Sequence, residues 1–325
     1  MSNLKKRSSR KVLLFLFLLI LAASTLWLLL QVGGNLWEAT SSQLEAPALE
    51  QSVLTHVEEE DYETTSIQQD ATRMGSLILV NGQYPCPFLQ DDTLISVYEE
   101  KTGDYKVRSV DVKVQREMMD SLNRLFADYV QKTGSHEVNI LSGYRSWEEQ
   151  EAILAQKVET MGEQEAQRWA SAPGKSEHHT GYAMDFGIYT DSGRSKDFTG
   201  KGEQSWLTAN GCLYGFVQRY PEDKENITAV AEEPWHFRYV GVPHAQWMQQ
   251  QDLCLEEYLP TLKEYSYGQQ HLLLASANGE RYEIYYERPQ GKENASFRIH
   301  VPKDAPYWIS GDNMGGIVVT ILRSN

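Results

Sequence analysis

Residues 12–32 read VLLFLFLLILAASTLWLLLQV, 21 positions without a charge. A helix of that length crosses a hydrocarbon core of ~30 Å. No polar face interrupts the run, as a helix packed on one side of a soluble core would require. Lys5, Lys6, Arg7, Arg10 and Lys11 precede it. Such cationic flanks stay cytoplasmic, so the chain after residue 32 is expected outside the membrane. A cleavable export signal has a shorter apolar part, ~7–15 residues, followed by small residues. This run is longer and carries Trp27 and three leucines near its end instead. An uncleaved anchor is therefore preferred over a cleaved signal, and both readings export the rest. The chain is expected to be a single-pass protein of the cell membrane with its main domain extracellular.

The formal charge of −15 understates the acidity of that exported part. Beyond residue 11 the chain carries 25 Lys and Arg against 45 Asp and Glu. Phosphate backbones need a basic face, so a nucleic-acid partner is disfavoured; the acidity is read as solubility. Three cysteines, Cys86, Cys212 and Cys254, show no Cys-x-x-Cys spacing, which removes zinc-finger and thioredoxin readings. One internal disulfide is open to them, but small buried hydrophobes are the favoured reading.

Composition and periodicity divide the chain into a basic segment (1–11), the anchor (12–32), a polar acidic linker (33–75), a main domain (76–265) and a β-rich module (266–325). The linker has too little apolar surface to fold alone, and order is expected to begin near Ser76. Residues 77–80 read as a short strand. Met118, Leu122, Leu125, Phe126, Tyr129 and Val130 recur at helical spacing, with Gly134 as a stop. Ser146 and Glu149 form a capping box, opening a helix with Ile153, Leu154, Val158 and Met161 as its buried stripe. Strands are expected around Val138, Ala183 and Trp235, and a helix over 206–214. Strand-like runs at 272–275, 282–286, 297–301 and 316–322, separated by Asn, Gly and Pro turns, suggest a small all-β unit. The predicted class is α+β, with a small antiparallel sheet and helices in the main domain.

Three segments carry polar residues that folding alone does not demand: Ser142-Gly143-Tyr144-Arg145, the stretch 176–185 (SEHHTGYAMD), and 233–238 (EPWHFR). Two imidazoles and a carboxylate make a three-donor Zn²⁺ site that leaves one position for water. His178, Asp185 and His236 can supply that set. Glu233 can take a proton from water and pass it to a leaving amine. The His-Glu-x-x-His helix motif is absent. Adjacent side chains of an extended segment point opposite ways, so His178 and His179 are not both expected on one metal. His136, His244 and His271 read as surface or satisfied core histidines.

These segments resemble those of the VanY-type D-alanyl-D-alanine carboxypeptidases, a family of zinc peptidases. The pattern Ser-x-His-x-x-Gly-x-Ala-x-Asp is met by Ser176, His178, Gly181, Ala183 and Asp185. Glu-x-Trp-His-x-Arg is met by Glu233, Trp235, His236 and Arg238. Residues 142–146 with Gln150, then 214–216, 219–221 and 79–81, extend the likeness over roughly residues 76–250. The resemblance implies zinc on His178, Asp185 and His236, with Glu233 as general base. It implies Arg145 as the group that holds a substrate carboxylate or stabilises the oxyanion, a task suited to a bidentate guanidinium. Gln150 and Ser176 are implied as further substrate contacts, Arg238 as a residue ordering the metal strand, and Trp235 as packing. The implied reaction removes C-terminal D-alanine from peptidoglycan stem peptides. Three alternatives are carried: an L,D-carboxypeptidase acting on tetrapeptide stems, which shares the metal motifs; a dipeptidase acting on free D-Ala-D-Ala, against which export toward a polymer argues; and a non-catalytic wall-binding or sensing module, against which Glu233 argues.

Overall fold

The computed structural model describes residues 47–87, 93–276, 279–293 and 296–323. The basic segment and the anchor expected over 12–32 lie outside the described residues. Among those described, no helix is long and apolar enough to cross a membrane.

Two strands open the described chain, β1 (Glu50–Leu54) and β2 (Tyr62–Gln68). They fall in the stretch expected to be a linker, so order starts well before Ser76. Their composition hid them. Most of their side chains face solvent, and each sits at the margin of a sheet. An edge strand is held by backbone pairing on one side and needs few buried side chains.

The main domain follows. Its strands are β3 (Leu94–Ser96), β4 (Lys106–Val107), β5 (Lys113–Gln115), β6 (Val138–Ser142), β7 (Ala183–Tyr189), β8 (Ser195–Asp197), β9 (Phe216–Tyr220) and β10 (Glu233–Tyr239). Six of them form one sheet in the order β4-β6-β7-β10-β9, with β8 added beside β7. Its pairings are antiparallel except for β4 against β6. Helix α1 (Met119–Thr133) buries Met119, Leu122, Leu125, Phe126 and Tyr129 on one face. Gly134, at φ 72°, ends it in the left-handed region, where glycine has no Cβ penalty. The buried face meets the sheet through rings: Phe126 stacks on Tyr105 at 4.4 Å and meets Phe186 edge-on at 5.5 Å, and Phe186 stacks on Phe237 at 4.6 Å.

Helix α2 (Trp147–Met161) starts at the expected capping box: Ser146 Oγ accepts from the Glu149 amide, and Glu149 returns a bond to the Ser146 amide. Its expected apolar stripe is not buried. Val158 and Met161 are exposed, and Gln150 is the residue the helix buries. The helix stands at the rim of a groove, and Ile153 lines it. A short helix α3 (Glu163–Trp169) packs behind it. Helix α4 (Ser205–Asn210) runs into a 3-10 turn over Gly211–Tyr214, matching the expected helix there.

Residues 77–80 are deeply buried but form no strand. Side chains and a loop take their backbone groups instead: Arg238 donates to the Ser76 and Ile78 carbonyls, Asn313 to that of Leu79, and the Leu79 amide donates to the Asp312 carbonyl.

Helices α5 (His244–Gln250) and α6 (Leu255–Leu262) lead into β11 (His271–Ala275), β12 (Arg281–Glu287), β13 (Gln290–Glu293), β14 (Ser296–Pro302), β15 (Tyr307–Gly311) and β16 (Ile317–Arg323). The sheet order is β1-β11-β12-β16-β15, and a second sheet runs β13-β14-β2. The C-terminal strands thus incorporate β1 and β2 rather than closing on themselves. A single apolar cluster holds Leu77 and Leu79, Val217 and Val240, Trp247 and Leu259, and Leu272, Ile284 and Val318. The C-terminal strands and the main domain share that core, and Ala46–Asn325 is one compact unit.

Leu49 and Tyr62 are each buried to about 5% exposure or less, and a large side chain so buried contributes ~1.5–3 kcal/mol. A chain beginning at Ser76 should therefore be at least ~3 kcal/mol less stable to urea than one beginning at Ala46. Equal unfolding midpoints would contradict the integrated fold.

Candidate metal centre and catalytic pocket

Strand pairing builds the centre. In the β7–β10 ladder His236 lies directly opposite Asp185, and on the other side of β7 Ser142 of β6 is partnered with Asp185. His178 comes from a 3-10 turn, Glu177–Thr180, just before β7. Ser176 caps that turn by accepting from the His178 amide at 3.4 Å. Gly181 closes it at φ 70°, where a Cβ would stand 2.7 Å from Leu94. Gly143 is required by close approach: a Cβ there would lie 2.2 Å from the Lys113 carbonyl oxygen. Its own carbonyl accepts from His178 Nδ1 at 2.7 Å. That bond fixes the ring and leaves Nε2 facing the pocket.

His178 Nε2 is 3.2 Å from Asp185 Oδ2, and His236 Nδ1 is 3.0 Å from Asp185 Oδ1. One donor atom from each of His178, Asp185 and His236 lies within 4.8 Å of the others, and the two histidines are buried. Ligands ~2.0–2.1 Å from a tetrahedral ion stand roughly 3.3 Å apart, so these spacings suit a small tetrahedral cation. His179 belongs elsewhere: its Nδ1 donates to the Arg145 carbonyl at 2.7 Å and its Nε2 accepts from the Gly174 amide at 3.0 Å. Both nitrogens of that ring are committed to backbone.

Burial opposes charge on Asp185, but the two imidazoles hold its carboxyl well below the usual range. Burial pushes His178 down, keeping it neutral. Burial also disfavours charge on His236, yet the bond to Asp185 and the nearby carboxylates of Glu177 and Glu233 prevail and raise it to about 9. Glu233 has an oxygen 3.7 Å from His236 Nδ1, and burial raises its carboxyl to about 7. A carboxyl titrating near neutrality can both accept and return a proton.

Arg145 leans over the same point. Its guanidinium donates to Gln150 Oε1 at 2.7 Å and Ser142 Oγ at 3.0 Å, and stands 3.4 Å from Asp185 Oδ2. Gln150 in turn donates to the Ser171 carbonyl at 2.7 Å. Gln150 thus aims the arginine. Ser176 spends its hydroxyl oxygen on the cap, although both residues line the cavity of about 210 Å³ that contains the three donors and Glu233. Arg145, Ile153, Asp185 and Trp235 also border a wider groove of about 790 Å³.

Sequence reasoning gave no role to Glu177 or Arg219. Glu177 is buried, with Arg219 Nε at 2.8 Å and Arg238 Nη1 at 2.9 Å. Burial opposes its charge, but these two cations hold its carboxyl far below the usual range. Arg219 also reaches Glu256 at 2.8 Å. Glu177 sits between two motif residues, and the pairing of Arg219 and Arg238 with it needed the β9–β10 register to become visible. His244 and His271 are core residues, bonded to Tyr258 and Thr320 and to Glu283 respectively, and His136 is exposed. All three cysteines are free.

Such a centre has the donors for one metal ion beside a buried carboxyl, as a metallohydrolase requires, and likeness to known proteins makes the class specific. Residues 111–242 match the VanY family model, described as D-alanyl-D-alanine carboxypeptidase. A D-alanyl-D-alanine carboxypeptidase of Enterococcus faecium is 33% identical over 267 residues, covering 81% of this chain and 80% of that protein. One from Enterococcus faecalis is 33% identical over 279 residues, covering 80% of this chain and 94% of that protein. The solved vancomycin-resistance D,D-dipeptidase VanXYg, in complex with a D-Ala-D-Ala phosphinate analogue, superposes with a TM-score of 0.70 at 33% identity, covering 81% of this chain and 99% of that chain. The chain belongs to the VanY family of D-alanyl-D-alanine carboxypeptidases.

Two outcomes follow from the geometry. His178→Gln should lose its divalent metal while His179→Gln keeps one per chain, measured as bound metal after gel filtration; the reverse result would move the centre. Metal entry must displace the proton that His236 Nδ1 holds against Asp185. Apparent affinity of the metal-free protein should therefore rise ~10-fold per pH unit up to about 9, the linkage for one released proton. A flat profile in chelator competition would contradict it.

Proposed function

We propose that His178, Asp185 and His236 hold zinc, and that the chain uses it to release the terminal D-alanine of peptidoglycan stem peptides. The observation that carries the assignment is the convergence of three metal donors, a buried carboxyl and a guanidinium on one small cavity. The donor types and spacings fit Zn²⁺ with one position left open. When bound, zinc supplies Lewis acidity to the scissile carbonyl and lowers the pKa of a coordinated water.

The chain's own residues do the rest. Glu233 takes the proton of the attacking water and delivers it to the departing amine. Arg145 presents its fork to the anion, either the substrate carboxylate or the oxygen that gains charge during attack. Gln150 and Ser142 keep that fork in place, and Ser176 acts by fixing His178. The cavity around Glu233 has room for one small residue. The wider groove beyond Trp235 takes the peptide that precedes the scissile bond, which favours polymer-borne stems over a free dipeptide. The apolar run before the domain is read as an anchor that keeps it outside the cell membrane, near that substrate.

The test is D-alanine release from pentapeptide and tetrapeptide stems by the zinc-loaded chain, with and without a chelator. Chelator-sensitive release from the pentapeptide is expected. Release confined to the tetrapeptide would replace the D,D assignment with an L,D one. Glu233→Ala should lower kcat by ~10²–10⁴ while one zinc per chain remains. Near-normal turnover of that variant would remove Glu233 from the reaction.

A further inference from the structure

His236 uses Nδ1 toward Asp185, and its other nitrogen, Nε2, is buried and has no hydrogen-bond partner within 3.5 Å. The group facing it is Glu177 Oε2, 3.6 Å away, which is buried and equally without a partner. The two orphaned atoms are complementary: an imidazole N–H and a carboxylate lone pair. The other oxygen of Glu177, Oε1, is taken by Arg219 Nε and Arg238 Nη1. Arg219 reaches on to Glu256, and Glu256 accepts from Asn81 at 3.2 Å. Two carboxylates and two guanidiniums therefore balance in charge, and the free oxygen of Glu177 remains aimed at His236.

We propose that Glu177 is a positioning residue for the metal centre: its carboxylate accepts a hydrogen bond from the Nε2–H of His236, fixes the tautomer that offers Nδ1, and holds the ring at the angle zinc requires. The inference rests on the zinc reading above. Ligand imidazoles are commonly oriented by a carboxylate on their far nitrogen, and loss of such a partner weakens metal binding ~10–100-fold. The pair is spaced just beyond hydrogen-bond distance, and a small rotation of the His236 ring closes it. The Glu177 carboxylate is fully buried and held by Arg219 and Arg238. Its effect should fall on the metal rather than on peptide recognition.

The experiment uses the full chain and two variants. Glu177→Gln keeps the shape and removes the charge. Glu177→Asp keeps the charge for the arginines and withdraws the oxygen from His236. Zinc affinity is measured by chelator competition, the visible spectrum is recorded with cobalt in place of zinc, and KM is compared with kcat. Expected results are zinc affinity lowered ~10–100-fold, displaced cobalt bands, and an unchanged KM at saturating metal. Folded variants with the affinity and cobalt spectrum of the unaltered chain would overturn the proposal. Should neither variant fold, nitrogen-15 histidine spectra of the unaltered zinc-loaded chain decide it. Nδ1 bound to metal with a protected Nε2–H supports the assignment, and Nε2 bound to metal overturns it. An unaltered chain that binds no zinc would instead sink the zinc reading itself.

Discussion

The register of two antiparallel strands governs the rest of the molecule's chemistry. His236 on β10 stands opposite Asp185 on β7, and Ser142 on β6 stands on the other side of Asp185. Side chains alternate along a strand, so a slip of one residue would turn His236 away and bring a neighbour to the centre. What prevents the slip is the core beneath. Phe186 and Phe237, each next in chain to a metal donor, stack at 4.6 Å in a cluster that includes Phe126 and Phe198. The hydrophobic pattern of β7 and β10 thereby fixes which polar residues meet above it. Burial specifies register, and register specifies the donor set.

A second constraint is electrostatic. Glu177, Arg219 and Arg238 are fully buried, and Glu256 nearly so. Isolated, any of these charges would be costly to desolvate. Together they neutralise one another, and their remaining hydrogen bonds reach the Ser76 and Ile78 carbonyls and Asn81. The segment 76–81, helix α6 and the strands β9 and β10 are thereby tied to the turn that carries His178. This explains why an apolar stretch such as 77–80 is buried without joining a sheet: guanidinium and amide groups take the place of a neighbouring strand.

Much of the centre was legible because its residues are polar where folding needs none, at spacings that repeat a family pattern. His178, Asp185, His236, Glu233 and Arg145 meet at one cavity as read. Helix α1, the capping box at Ser146 and four of the C-terminal strands were visible through period and turn residues. Other features were not, for physical reasons. Strands β1 and β2 are polar because edge strands are held by backbone. The stripe on α2 is apolar at Val158 and Met161 yet exposed, since periodicity cannot report what lies beyond a helix. Gln150 and Ser176, read as substrate contacts, spend hydrogen bonds on Arg145 and on the His178 amide. Glu177 was hidden by its neighbours in the motif, because a buried carboxylate is meaningful only once its arginines are placed around it.

The central claim is a zinc ion held by two imidazoles and one carboxylate, and the most direct measurement is X-ray absorption at the zinc edge of the loaded chain. The account predicts a first shell of four nitrogen and oxygen atoms at ~2.0–2.1 Å with the outer-shell signature of two imidazoles. Scattering from sulfur at ~2.3 Å, or from a single imidazole, would contradict it.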